Sequence, residues 1–283
     1  MALGYSNPPA CAKVDPEGSG VHTDIIFNGL RSARRVARGT GAAVLDLLLP
    51  PLALDERTAT GAVQSRGLTA DAWTRISFIE APVCESCGAP FEFDLGPGAR
   101  CAACMARAPA FDRARAACLY DEASRGLILK LKHADRTDLA PLFARWLARA
   151  AADLICEADA VVPVPLHPLR LIRRRFNQAA EIARPMAASV GLAYWPDALE
   201  RVRRTESQAG RSGSGRRRNV AGAFQVPRRW RERVAGARIL IVDDVLTTGA
   251  TAEGCARALK AAGAARVDLA VIARVKERSA RAI

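Results

Sequence analysis

Long apolar runs are missing from this chain of 283 residues. Its most apolar stretch, Ala42–Leu54, is interrupted by Asp46, Pro50 and Pro51, and it falls short of the ~20 apolar residues that a membrane helix needs. A cleavable leader is not visible either, because Lys13, Asp15 and Glu17 break up the N-terminal region. Aromatic residues make up only 5% of the chain, which is thin for a protein that holds single strands by stacking on their bases. A disulfide framework is lacking as well. Of eight cysteines, Cys84, Cys87, Cys101 and Cys104 form two CxxC pairs, while Cys11, Cys118, Cys156 and Cys255 are scattered. That pattern suits a metal site in a reducing compartment, and a soluble, cytoplasmic protein is expected.

Hydrophobic residues account for half of the chain, enough for a packed fold with one sizeable core and a smaller module. Lys and Arg total 42 against 29 Asp and Glu, a formal charge of +13. The excess is clustered at Arg173–Arg175, at Arg216–Arg218 and at Arg228, Arg229, Arg231 and Arg233. Such clusters favour anionic partners: phosphorylated small molecules, nucleic acid or an acidic membrane surface. The competing reading is a merely solvated basic face.

Three regions differ in texture. Residues 1–40 read as a flexible basic extension, although a helix with a basic start and an apolar end is expected over 28–49, where Pro50 and Pro51 stop it. Residues 41–109 have little periodicity and many small residues, as in a metal-stapled module with little core of its own. Over 110–283, strand and helix signals alternate. Strands are expected near 116–120, 160–164, 239–242 and 267–273, and helices near 122–133, 138–155, 178–190 and 250–262. That alternation predicts an α/β domain with a parallel sheet flanked by helices. Pro185 should kink or end the third helix, and the Gly- and Arg-rich stretch Arg201–Gly222 reads as a loop.

The sharpest motif runs from Ala237 to Thr251: an apolar strand, the paired acids Asp243 and Asp244, then a Thr-Thr-Gly turn opening a helix. In open α/β sheets, ligands bind beyond the carboxyl ends of the strands. Carboxylates there can accept bonds from sugar hydroxyls or hold hydrated Mg²⁺. Thr247, Thr248 and Thr251 offer hydroxyls, and Gly249 lets backbone amides approach a phosphate at the helix start. The plainer alternative is an acidic strand end followed by an ordinary helix start.

This ordered pattern resembles the phosphoribosyl pyrophosphate (PRPP) signature of type I phosphoribosyltransferases. With Val161–His167, Arg173–Ala179, Thr205, Gln208, Arg218, Asn219 and Phe224, it resembles the ComF family, whose members carry such a domain behind an N-terminal zinc ribbon. The resemblance implies that Asp243 and Asp244 meet the ribose and Mg²⁺, and that Leu246, Thr247, Thr248, Gly249, Ala250 and Thr251 cradle the 5′-phosphate. It also implies a pyrophosphate-side loop at Val164, Pro165, Leu166 and His167, and a closing loop that includes Gln208, Arg218 and Asn219. His167 reads equally well as a turn residue. Arg211 stands where the family usually has an apolar residue. Purine-salvage relatives carry a carboxylate in the phosphate loop where this chain has Thr247, which cannot act as a base near neutral pH.

Thirteen residues separate Cys87 from Cys101. Two CxxC knuckles at such spacing suit one structural zinc site of four thiolates, a redox pair being the alternative. The family resemblance implies a second quartet upstream, but its slots hold Ala53, Glu56, Thr69 and Ala72. One zinc per chain is therefore expected, with Leu68, Trp73, Ile76 and Phe78 packing the upstream half. Cys118, Cys156 and Cys255 are expected in the core. Two functions stay open: phosphoribosyl transfer to an unknown acceptor in nucleoside metabolism, or a non-catalytic accessory role in competence, the uptake of single-stranded DNA.

Overall fold

A computed structural model describes residues 68–133, 136–167, 176–203 and 222–276. The N-terminal extension, the expected helix over 28–49, Ala53 and Glu56 lie outside them, as do Arg173–Arg175, Arg211, Arg216–Arg218, Gln208 and Asn219. The described residues up to Trp73 and those from Thr74 onward belong to two units. Helix α1 (Ala70–Thr74) is capped by Thr69, whose Oγ1 accepts the Ala72 amide at 3.2 Å. Among the described residues, no helix is long and apolar enough to cross a membrane.

The second unit holds both cysteine pairs and all the described strands. After the short helix α2 (Ala102–Ala106) come β1 (Ala114–Leu119), α3 (Glu122–His133), a 3₁₀ turn (Thr137–Leu139), α4 (Ala140–Ala150), α5 (Ala152–Glu157) and β2 (Ala160–Pro163). Then follow α6 (Gln178–Val190), β3 (Ala193–Tyr194), β4 (Glu200–Arg201), β5 (Phe224–Gln225), a 3₁₀ turn (Arg228–Trp230) and α7 (Arg231–Val234). The chain continues through β6 (Arg238–Leu246), α8 (Ala250–Ala261) and β7 (Arg266–Arg274). Five strands form one all-parallel sheet in the order β1-β7-β6-β2-β3, while β4 and β5 pair antiparallel. Central strands β6 and β7 are buried almost throughout, as expected of a parallel sheet covered on both faces.

Two expectations are corrected here, and a third is narrowed. The helix expected over 138–155 is broken at Ala151, which leaves helical geometry between α4 and α5. Of the kink or early end expected at Pro185, the early end does not occur, since α6 runs on to Val190. An interior proline costs about 3 kcal/mol, and the burial of Ile182, Ala183, Met186 and Ala187 on either side offsets it. Cys156 is exposed on the last turn of α5, whereas Cys118 and Cys255 are buried as expected. Of the residues expected to pack the upstream half, Ile76 is buried and Phe78 stands edge-on to Trp146 of α4 at 5.0 Å.

Candidate functional site

Connectivity places the cleft. The chain leaves β2 through α6 toward β3, but leaves β6 through α8 toward β7, so the two neighbouring strands send their crossovers in opposite directions. In a parallel sheet that reversal opens a crevice at the carboxyl ends. Strand lengths deepen it. β2 pairs with β6 only as far as Pro163 opposite Val242, with the Val164 amide bonded to Val242 O at 2.9 Å. Pro165 then has no amide to donate. On its other side β6 stays paired to β7 as far as Leu246 opposite Arg274. Asp243 and Asp244 thus sit on a supported strand whose β2 flank is open.

A cavity of about 120 Å³ occupies this position, lined by Val164, Pro165, Leu166, Asn177, Gln178, Ala179, Arg201, Asp243, Asp244 and Thr251. Six of these belong to the expected site: the acid pair, Thr251 and Val164–Leu166. Leu246 and Ala250 are buried behind the loop instead. Thr247, Thr248 and Gly249 form the turn itself, and His167 is not among the lining residues. Gly249 has φ 74° and caps α8, with its carbonyl accepting the Glu253 amide at 2.8 Å. A left-handed residue here turns the chain so that the first amides of α8, which have no partners within the helix, face outward.

Electrostatics make the acid pair distinctive. Burial first, and the adjacent Asp244 carboxylate second, push Asp243 up to about 7. The Asp244 amide donates to Asp243 Oδ1 at 2.8 Å and works in the opposite sense, as do the charges of Lys132 and Arg201. Lys132 of α3 sets its Nζ 2.8 Å from Asp244 Oδ2, both side chains being less than a fifth exposed. Across the cleft Asn177 caps α6, with Oδ1 accepting the Ala179 amide at 3.2 Å and Nδ2 donating to Val164 O at 3.0 Å. One side chain therefore fixes both the helix start and the loop after β2. Lys132 and the tethering role of Asn177 have no counterpart in the sequence reading, although a polar residue just before a helix is a capping signal. Arg201, expected in a loop, belongs to β4, and its guanidinium lies 5.3 Å from the Phe224 ring centroid of β5.

The four ribbon cysteines converge, each Sγ within 4.8 Å of every other, and could hold a metal ion. Sulfurs about 2.3 Å from a tetrahedral ion are about 3.8 Å apart, and Cys87 and Cys101 Sγ lie at 3.7 Å. A bond from the Cys87 thiol, helped by the Cys101 amide at 3.2 Å, holds Cys84 down at about 4 despite its burial. Gly88, at φ 65°, closes the first knuckle against β1, and a Cβ there would stand 2.6 Å from Ala114 O. The module is bolted to the sheet. Arg274, the last residue of β7, donates to Cys87 O at 2.6 Å and reaches Cys87 Sγ at 3.4 Å. Arg107 pairs with the buried Glu253 of α8.

The phosphoribosyl transferase domain model matches residues 176–282. Over 193 residues the chain is 33% identical to the DNA utilization protein YhgH of Salmonella typhimurium, a span covering 66% of this chain and 82% of that protein. It is 27% identical over 198 residues to Competence protein F of Haemophilus influenzae, covering 68% and 85%. Among solved structures, the glutamine PRPP amidotransferase of B. subtilis, complexed with ADP and GMP, is similar at 24% identity and a TM-score of 0.33. The likeness covers 47% of this chain and 26% of that one, about a quarter of its length. With its parallel sheet, its acid pair at the strand-order reversal and relatives matched over most of their length, the chain belongs to the ComF family of phosphoribosyltransferase-fold proteins.

Proposed function

We propose that the cleft binds a PRPP-like sugar phosphate. The observation that carries this is the acid pair on β6, set at the strand-order reversal between the α8 start and the Val164–Leu166 loop. Asp243 and Asp244 accept hydrogen bonds from the ribose hydroxyls. Amides and hydroxyls of Thr247–Thr251 take the 5′-phosphate, and Val164–His167 flank the pyrophosphate. Gln208, Arg218 and Asn219 belong to the segment that closes over the ligand. Mg²⁺, when bound with the ligand, supplies charge neutralisation at the pyrophosphate. Transfer would need an acceptor that arrives anionic or a base other than Thr247. Isothermal titration with the magnesium salt of PRPP tests the reading. The wild-type chain gives a saturable heat, the Asp243→Asn, Asp244→Asn double variant gives none, and a wild-type chain without heat or thermal shift ends the proposal.

Four thiolates with no open position suit zinc in a structural role, and thiolate ligands suit the cytoplasm. Metal analysis of the purified chain should return one zinc, and two per chain would overturn the assignment. A second reading has its own support: the curated relatives are named for DNA utilization and competence, and the formal charge is +13. On that reading the protein is an accessory factor that contacts single-stranded DNA. Binding to an oligonucleotide should weaken steeply with salt, and no binding at low salt removes the reading.

A further inference from the structure

Two of the four tryptophans, Trp195 and Trp230, stand side by side with ring centroids 5.5 Å apart and planes tilted by 42°. Trp195 follows the edge strand β3 and donates its amide to Val161 O at 3.0 Å. Trp230 closes the 3₁₀ turn that leads into α7. Both rings are half-buried against the core. Around them Arg228, Arg229, Arg231 and Arg233 are all exposed. Arg229 is held by Asp197 at 2.8 Å and Glu200 at 3.4 Å. Among the described residues the other three make no ion pair, and the Arg233 guanidinium lies 5.5 Å from the Trp230 ring centroid.

Closely spaced guanidinium groups repel one another, so such a cluster is most stable with an anion across it. The half-buried tryptophan pair adds a flat aromatic surface, which a simple anion cannot use and a planar partner can. Bases of a single strand offer a free face, whereas duplex bases are stacked away. The low aromatic content of the chain does not oppose this, because the fold gathers half of its tryptophans at one place. We propose that Trp195, Trp230, Arg228, Arg231 and Arg233 form a docking surface for single-stranded nucleic acid, with arginines on the phosphates and the tryptophan pair holding a base. The proposal rests on the second reading above and adds the surface.

Its position keeps the two ligands apart. Glu200 and Arg201 are successive residues of β4, so their side chains leave opposite faces. Glu200 reaches Arg229 at the patch, and Arg201 lines the sugar-phosphate cleft.

The test is a fluorescence titration of the full chain with oligothymidylate of about 16 nucleotides, its ribo counterpart, the matching duplex and polyglutamate, over a salt series. Tryptophan emission should be quenched saturably by the single strands and not by polyglutamate. The Arg228→Gln, Arg231→Gln, Arg233→Gln variant should bind at least about tenfold more weakly at low salt, with the log–log salt slope shallower by about 2. Trp230→Leu should weaken binding roughly tenfold and remove most of the quenching. Unchanged thermal midpoints show that both variants fold. If the wild-type chain binds no strand at low salt, this surface and the reading beneath it both fall. Wild-type binding that the arginine variant leaves intact overturns the surface alone. Equal binding of polyglutamate without quenching also overturns it, since the patch would then accept any anion.

Discussion

Asp243 offers a direct measure of how far the cleft is organised for a ligand at the expense of the fold. An unfolded aspartate titrates at 3.8, and in the folded chain burial and Asp244 raise Asp243 to about 7. The folded state therefore holds this proton more tightly. Stability attached to it is fully present below pH ~4 and is lost as pH rises toward ~7. Three units correspond to about 4 kcal/mol at most, and screening at the open side of the cleft brings the effect to roughly 2–4 kcal/mol. Asp243→Asn keeps an oxygen for the Asp244 amide and removes the charge. At pH 8 the variant should melt about 5–10 °C above the wild type while losing ligand binding, and near pH 4 the difference should vanish. Differential scanning calorimetry at the two pH values measures this. A variant no more stable than the wild type at pH 8, or one equally stabilised at both, refutes the reasoning.

Glu253 shows the opposite slope. Burial alone would raise its pKa, but bonds from Arg107 and Arg257 hold it below the usual value, so its contribution is present above pH ~4.5 and lost as pH falls. Glu253→Gln should cost roughly 1–3 kcal/mol at pH 7 and flatten the acid limb of a urea-midpoint series. Gly88→Ala sets a Cβ 2.6 Å from the Ala114 carbonyl at φ 65°, and should cost roughly 2–4 kcal/mol and speed metal loss to a chelator, read together by denaturation and a zinc-dye assay. Asn177→Ala should cost about 1–2 kcal/mol in urea unfolding and weaken calorimetric binding of the magnesium salt of PRPP by freeing the Val164–Leu166 loop.

Periodicity was enough to locate α3, α6 and α8 closely, because each has one buried stripe and clear ends. β6 was legible through its apolar run and acid pair, and the cysteine spacing announced four converging sulfurs. What escaped depends on partners far along the chain. Nothing local marks Lys132, which follows the buried Leu131 and acquires its role only when α3 brings it to Asp244. The two-residue strand at Glu200–Arg201 has no period to read, and its pairing partner lies beyond a Gly- and Arg-rich stretch. The Trp195–Trp230 pair joins residues with no shared motif. α6 continues past Pro185 because the buried residues on either side override propensity, and those contacts are not local to the sequence.

β7, the last strand along the described chain, sits second in the sheet order and ends on Arg274, whose bond to Cys87 spans 187 positions. On the ribosome both cysteine pairs emerge well before β7 does. The platform on which they seat is finished only when the far end of the domain arrives, and joining distant segments is the slow part of assembly. The appearance of the cysteines and their anchoring by Arg274 are thus separate events in the life of the nascent chain. Synthesis halted before Arg266 would leave Cys87 without the Arg274 bond that seats it on the sheet.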